Sequence, residues 1–124
     1  ATFQTRAVPV PGVTQVRDMT ISLAAGCLLR GVGATRELHC WGQAGGGVEW
    51  LGHAPDVIRY TPDLVGTTAD PWIDVASYVL LDRGVCALRG DGRVHCIGID
   101  ADGQLGDGDP LAPSSVPVLV RDLP

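Results

Sequence analysis

The sequence predicts an all-β fold, and three observations support this prediction. The 124 residues include 17 glycines and 9 prolines, a composition that disfavours helices because each interior glycine or proline costs a helix about 1 to 3 kcal/mol. Hydrophobic residues make up 45% of the chain but aromatic residues only 5%, so the core must be aliphatic. Two cysteine-containing segments, 27–40 and 84–96, also fit antiparallel hairpins.

The charge of the chain narrows the choice of partners. Nine arginines, with no lysine, stand against 14 acidic residues, which gives a net charge of −5. Because affinity for nucleic acid depends on neutralising phosphates, we expect no nucleic-acid partner. The longest stretches without a charged side chain, such as the 11 residues from Met19 to Leu29, are too short to cross a bilayer, and no transmembrane segment is predicted.

The clearer hairpin surrounds the second cysteine pair. Residues 84–96 read GVCALRGDGRVHC, and a three-residue loop at 90–92 lets Gly92 take the left-handed conformation that such a loop requires. This register places Cys86 opposite Cys96. Since strand side chains alternate between faces, an apolar face and a polar face then separate. The apolar face holds Cys86, Leu88, Val94 and Cys96, and the polar face holds Ala87, Arg89, Arg93 and His95.

The first cysteine pair repeats this pattern with a longer loop. Pairing Cys27 with Cys40 puts Leu29 and Leu38 on the cysteine face. Neither pair has the spacing of a zinc finger, whereas directly opposed residues of an antiparallel pair lie at distances that a disulfide bridges. We therefore predict two disulfides, Cys27–Cys40 and Cys86–Cys96, and an oxidising, extracytoplasmic compartment.

An internal repeat connects the two hairpins. Trp41-Gly42 recurs as Ile97-Gly98, 56 positions later, and Val8-Pro9-Val10 returns as Val116-Pro117-Val118. A unit of this length with several short strands suits a propeller blade. The sequence thus predicts two antiparallel four-stranded blades, a partial β-propeller. Besides the hairpins, strands are predicted within 13–23, 57–60, 73–81 and 116–120.

The second repeat resembles a known family. Residues 84–98, GVCALRGDGRVHCIG, and the loop 102–108, DGQLGDG, are similar to the repeat of the RCC1-like (regulator of chromosome condensation) β-propellers of the secreted bacterial type. The resemblance implies that 1–11 are the tail of a preceding repeat or an N-terminal strand, 12–62 a degraded first repeat and 63–124 a second one. Family members usually have about seven blades, so two blades imply a segment or subunit.

The resemblance implies a function without catalysis. We expect an extracytoplasmic protein-interaction or structural module that binds a protein partner or further copies of itself and needs no cofactor. Tryptophan and tyrosine are enriched where binding energy is concentrated. Contact with a partner is therefore predicted for four aromatic residues, with packing between blades as the alternative for each: Trp50, Tyr60, Trp72 and Tyr78.

One acidic run leaves an alternative function open. Asp100, Asp102, Asp107 and Asp109 lie in a glycine-rich loop and supply the oxygen ligands that Ca²⁺ prefers. They would suit a calcium-dependent ligand-binding protein or a secreted enzyme. The run lacks the glutamate of an EF-hand, however, and turns capped by aspartate explain much of it. The main interpretation therefore contains no metal site and no catalytic residue.

Overall fold

The computed structural model describes residues 5–21, 25–31, 36–43, 58–65, 71–77, 84–109 and 112–122. Within these ranges the chain forms strands that hydrogen-bond into two four-stranded antiparallel sheets. We call the sheets blade one and blade two, and in each the strands are adjacent in chain order. The prediction of an all-β fold with two four-stranded blades is confirmed. Blade one contains β1 (Val16–Ile21), β2 (Ala25–Arg30), β3 (Glu37–Gln43) and β4 (Ile58–Leu64), and blade two contains β5 (Trp72–Ser77), β6 (Gly84–Arg89), β7 (Val94–Gly98) and β8 (Ser114–Leu119).

The central hairpin of blade two has the predicted register. Cys86 lies opposite Cys96 and Leu88 opposite Val94. At the turn, Gly92 has a φ of 84°, which an L side chain rarely adopts. The Asp91 carboxylate holds the turn by accepting a hydrogen bond of 3.0 Å from the Arg93 amide. The glycine and the aspartate of this loop therefore set the register of the hairpin.

Both disulfides are present at the centres of the blades. In blade one, Cys27 opposes Cys40, and the Cα atoms of each bonded pair are 4.1 Å apart. Each bond therefore crosslinks the two central strands of its blade between directly opposed residues. No cysteine is free.

The internal repeat extends to backbone irregularities. The register between the first two strands shifts after Val16 in blade one and after Trp72 in blade two. A second shift follows the last cysteine of each blade and ends at Gly42 and Gly98, whose φ angles are 107° and 135°. These positive φ angles explain why glycine recurs in the Trp-Gly and Ile-Gly pairs.

The outer strands extend beyond their predicted limits. β4 continues to Leu64, so the boundary proposed between residues 62 and 63 falls inside a strand. Pro62 and Pro117 lie within β4 and β8. Because both are edge strands, a missing backbone N–H is tolerated on their open side. The division of the sequence into 12–62 and 63–124 stays a prediction.

The main core lies between the blades, and it uses different faces of the two hairpins. Blade one buries its cysteine face, with Leu29 and Leu38 fully covered. Blade two instead contributes Val85, Ala87 and Ile97, which lie on the face opposite Cys86. Blade two thus packs the face that carries Ala87 and His95 against blade one, and not the apolar face of Cys86 and Leu88. Blades stacked side by side meet through opposite faces, so equivalent faces cannot both point into one core.

This arrangement predicts unequal costs for two equivalent truncations. Leu29→Ala removes a side chain that is 0% exposed and should lower the free energy of unfolding by about 2 to 5 kcal/mol. Leu88→Ala, at the matching position of blade two, removes a half-buried side chain and should cost clearly less. Urea denaturation of dilute protein measures both values, and equal losses would contradict the packing described.

Candidate interaction surfaces

The junction between the blades centres on Asp18 of β1. Its Oδ1 accepts the Met19 amide at 2.8 Å, and its Oδ2 accepts the Val75 amide of blade two at 3.4 Å. A hydrogen bond with the Asp74 carboxyl lowers the pKa of Asp18 below its usual value, and the two backbone amides also favour the charged form. Asp18 thus connects its own strand to the neighbouring blade.

Arg36 makes a second polar connection at this junction. Its carbonyl accepts the Trp72 amide at 3.3 Å, and its guanidinium Nη1 donates to the Ile73 carbonyl at 3.1 Å. Both contacts hold the start of β5 against blade one. The relative position of the blades therefore depends on directional hydrogen bonds as well as on the apolar core.

Trp72 is a core residue at this junction. Its side chain is 1% exposed, the Arg89 guanidinium carbon lies 4.7 Å from the ring centroid, and the His95 ring meets it edge-on at 5.8 Å. This burial favours packing between blades, the alternative given for Trp72, over contact with a partner, because β5 directs the ring towards blade one. Sequence analysis did not identify Arg89 and His95 as contacts of Trp72, although it assigned both to the hairpin face that the ring covers.

The other predicted contact residues have different positions. Tyr60 lies on the outer edge strand β4 and is 82% exposed, so its ring is available to a partner. Contact at this position stays a prediction. Trp50 and Tyr78 lie outside the described residues.

The acidic loop after β7 is built around a buried carboxylate. Asp100 is almost completely buried, and its Oδ1 accepts the Leu105 amide at 2.7 Å. Asp107 caps a second turn by accepting the Asp109 amide at 3.0 Å. Asp102 is exposed, and its amide donates to Gln104 Oε1 at 2.7 Å. Hydrogen bonds within the loop thus engage Asp107 and one oxygen of Asp100, whereas Asp100 Oδ2 is buried without a hydrogen-bond partner among the described residues.

The metal alternative gains no support from this geometry. Among the residues that the structure describes, which include all of 100–109, no three acidic, histidine or cysteine side chains converge as a metal site requires. In the same part of the chain, no helix is long and apolar enough to cross a membrane.

Each blade leaves one apolar face uncovered within the described structure. The open face of blade two consists of half-buried Cys86, Leu88 and Val94 with Asp74 at its edge. These residues and Ala87 line a shallow, mainly apolar pocket of about 150 Å³. The open face of blade one lies on the side away from blade two, and its apolar part consists of exposed Val16, Met19 and Ile21 with half-buried Trp41. Leu28 is buried at the centre of this face, and Arg30, Glu37 and His39 share it.

Trp41 shapes the open face of blade one through a glycine. Its ring lies over Gly26, in the space that a Cβ atom at position 26 would occupy. The two residues are directly opposed on β2 and β3. In blade two, Val85 and Ile97 hold the equivalent pair of positions. Blade one thus combines a glycine with a large tryptophan at the two positions where blade two has two medium-sized side chains.

The strand order and the paired faces define the two sheets as blades of a β-propeller. The two blades superimpose on solved RCC1-like propellers. Human WBSCR16 superimposes with a TM-score of 0.72 at 20% identity, over 94% of this chain and 29% of that chain. Prp20p from Saccharomyces cerevisiae gives 0.70 at 15%, over 94% and 27%. Yeast RCC1 (Prp20) bound to Kap60 gives 0.67 at 15%, over 91% and 27%.

These likenesses establish the fold. The chain spans less than a third of each of these solved proteins. No protein-family profile matches the sequence, and no curated protein matches it at a significant level. The RCC1-like fold expected from residues 84–108 is thus supported by structural similarity.

The environment of His95 predicts a loss of stability in weak acid. Burial, and then the charge of Arg89, lower the pKa of His95 below its ordinary value of 6.5. Its contribution to stability is therefore complete above about pH 6.5 and is lost as the pH falls, because the unfolded chain takes up the proton more readily. Urea unfolding between about pH 8 and pH 5 should show a steeper decline for the wild type than for His95→Gln. Identical curves would contradict this assignment.

The acidic loop predicts a structural effect at Asp100. Asp100→Ala removes the acceptor of the Leu105 amide and should lower the free energy of unfolding by about 1 to 3 kcal/mol. Asp109→Ala, at an exposed position, serves as the matched control and should change little. Thermal unfolding measures both, with and without millimolar calcium, which should not raise the melting temperature. A calcium-dependent rise abolished by Asp100→Ala would restore the metal alternative.

Proposed function

We propose that this chain is a non-enzymatic protein-interaction module made of RCC1-like repeats of the secreted bacterial type, and that it works as a subunit or segment of a larger assembly. One observation carries the proposal: among the described residues, each blade has one face buried by the other blade and a second face on which apolar side chains are exposed or half-buried. Open apolar faces of this kind mark binding surfaces. The module binds proteins through them and needs neither cofactor nor catalytic residue.

The disulfides support an extracytoplasmic location. Both bonds join opposed strands at the centre of a blade, and such bonds persist in oxidising compartments. The partner is a protein and not a nucleic acid, since a net charge of −5 opposes binding to phosphates. Protein binding has been examined for similar folds: Prp20p with Gsp1p and histones, and yeast RCC1 with Kap60.

Native mass spectrometry of the polypeptide isolated from its source, under oxidising conditions, tests the proposal. We expect a mass above 12.9 kDa, either as multiples of this chain, as a complex with another protein, or as a longer polypeptide that contains the two blades. Unassociated chains of 12.9 kDa, with both disulfides formed, would overturn it.

Tyr60 is the aromatic residue that we propose as a partner contact on the rim of blade one. Tyr60→Ala should weaken the isolated complex without lowering the melting temperature, because the ring is 82% exposed and packs little in the chain itself. Val116→Ala, an exposed position on the edge strand of blade two, is the matched control. Affinity measured by surface plasmon resonance should fall for Tyr60→Ala alone, and equal affinities would remove this residue from the interface.

A further inference from the structure

We propose that the open face of blade two binds the open face of blade one of a second copy of this chain, head to tail. The contact would repeat the one that already joins blade one to blade two. This inference rests on the proposed function, because it names the partner of the same open faces. The two blades are equivalent position by position in their strand register.

The open face of blade two is the counterpart of a face that is buried within the chain. Leu88 lies opposite Val94 as Leu29 lies opposite Leu38. The pair in blade one is fully buried against blade two, whereas the pair in blade two is only half-buried. Within the chain, the cysteine face of blade one is covered by the non-cysteine face of blade two.

Blade one presents the matching half of that contact. Met19 pairs with Leu28 across β1 and β2, and Val75 pairs with Ala87 across β5 and β6, so the two residues are equivalent. Val75 is 6% exposed in the junction between the blades, whereas Met19 is 50% exposed. On its edge strand, blade one thus exposes Met19 where blade two presents Val75 to blade one, whereas the central Leu28, the counterpart of Ala87, is already buried.

The polar part of the junction repeats as well. Asp18 and Asp74 occupy equivalent register positions after the bulge, and each accepts the amide of the next residue at 2.8 Å. Asp18 also accepts the Val75 amide across the junction. In the head-to-tail contact, Asp74 of one copy would accept the Met19 amide of the next copy in the same way.

The symmetry of this contact follows from its two halves. The open face of blade two is complementary to the open face of blade one, and neither face is complementary to itself. The association is therefore heterologous, and it leaves one open face of each kind at the ends of a pair. A second copy supplies both the apolar and the hydrogen-bonding half from a sequence that already forms this contact once.

Two variants, each blocking one face, test the proposal. Leu88→Glu places a charge on the open face of blade two, and Met19→Glu places one on the open face of blade one. By sedimentation velocity, the wild type should form concentration-dependent oligomers and each variant alone should remain at 12.9 kDa. An equimolar mixture should form a 1:1 dimer, because each variant retains the face that the other lacks. Asp102→Lys, on an exposed loop outside both faces, should behave as the wild type.

Circular dichroism and a thiol assay check that each variant folds with both disulfides, and Val94→Lys replaces Leu88→Glu if that variant does not fold. A wild type that stays monomeric at its highest soluble concentration overturns the proposal. So does a mixture of folded variants that forms no dimer. Both results leave the proposed function standing, since a mass above 12.9 kDa at the source then comes from a different partner or a longer polypeptide.

Discussion

Much of this structure depends on the requirement that a propeller blade be covered on both faces. Here the cysteine face of blade one and the opposite face of blade two cover each other, and they bury Leu29, Leu38 and Trp72 between them. Asp18 and Arg36 add directional hydrogen bonds across the same contact. A single contact between two blades covers only one face of each blade. The second face of each blade therefore lies outside this contact. The proposed function of the chain lies on those remaining faces.

Local features of the fold were predictable from the sequence. The turn at Gly92, the pairing of Cys86 with Cys96 and that of Cys27 with Cys40 depend on a few neighbouring residues, and a hairpin constrains its own register. The inward direction of each face was not predictable, because it is decided by a blade distant in the sequence. Trp72 illustrates this limit: the sequence left both partner contact and packing between blades open, and the junction makes it a core residue.

The candidate site was only partly accessible to sequence reasoning. The acidic run at 100–109 is evident in the sequence, but residue types alone do not distinguish a metal ligand from a turn cap. The distances distinguish them, because Asp100 and Asp107 accept backbone amides within their own loop. The equivalence of Asp18 and Asp74 was detectable, since both lie 56 positions apart like Trp41 and Ile97. The role of Asp18 at the junction was not detectable, because the Val75 amide approaches its carboxylate only when the two blades are assembled.

The prolines of the outer strands bear on how such a chain avoids aggregation. Pro62 in β4 and Pro117 in β8 interrupt the row of backbone donors along the outer edge of each blade. An extended segment that approached this edge would miss a hydrogen bond at the centre of the strand, which makes the edge a poor template for further strands. A protein with exposed apolar faces is thereby directed towards face-to-face stacking and away from the continuous edge-to-edge sheets of amyloid.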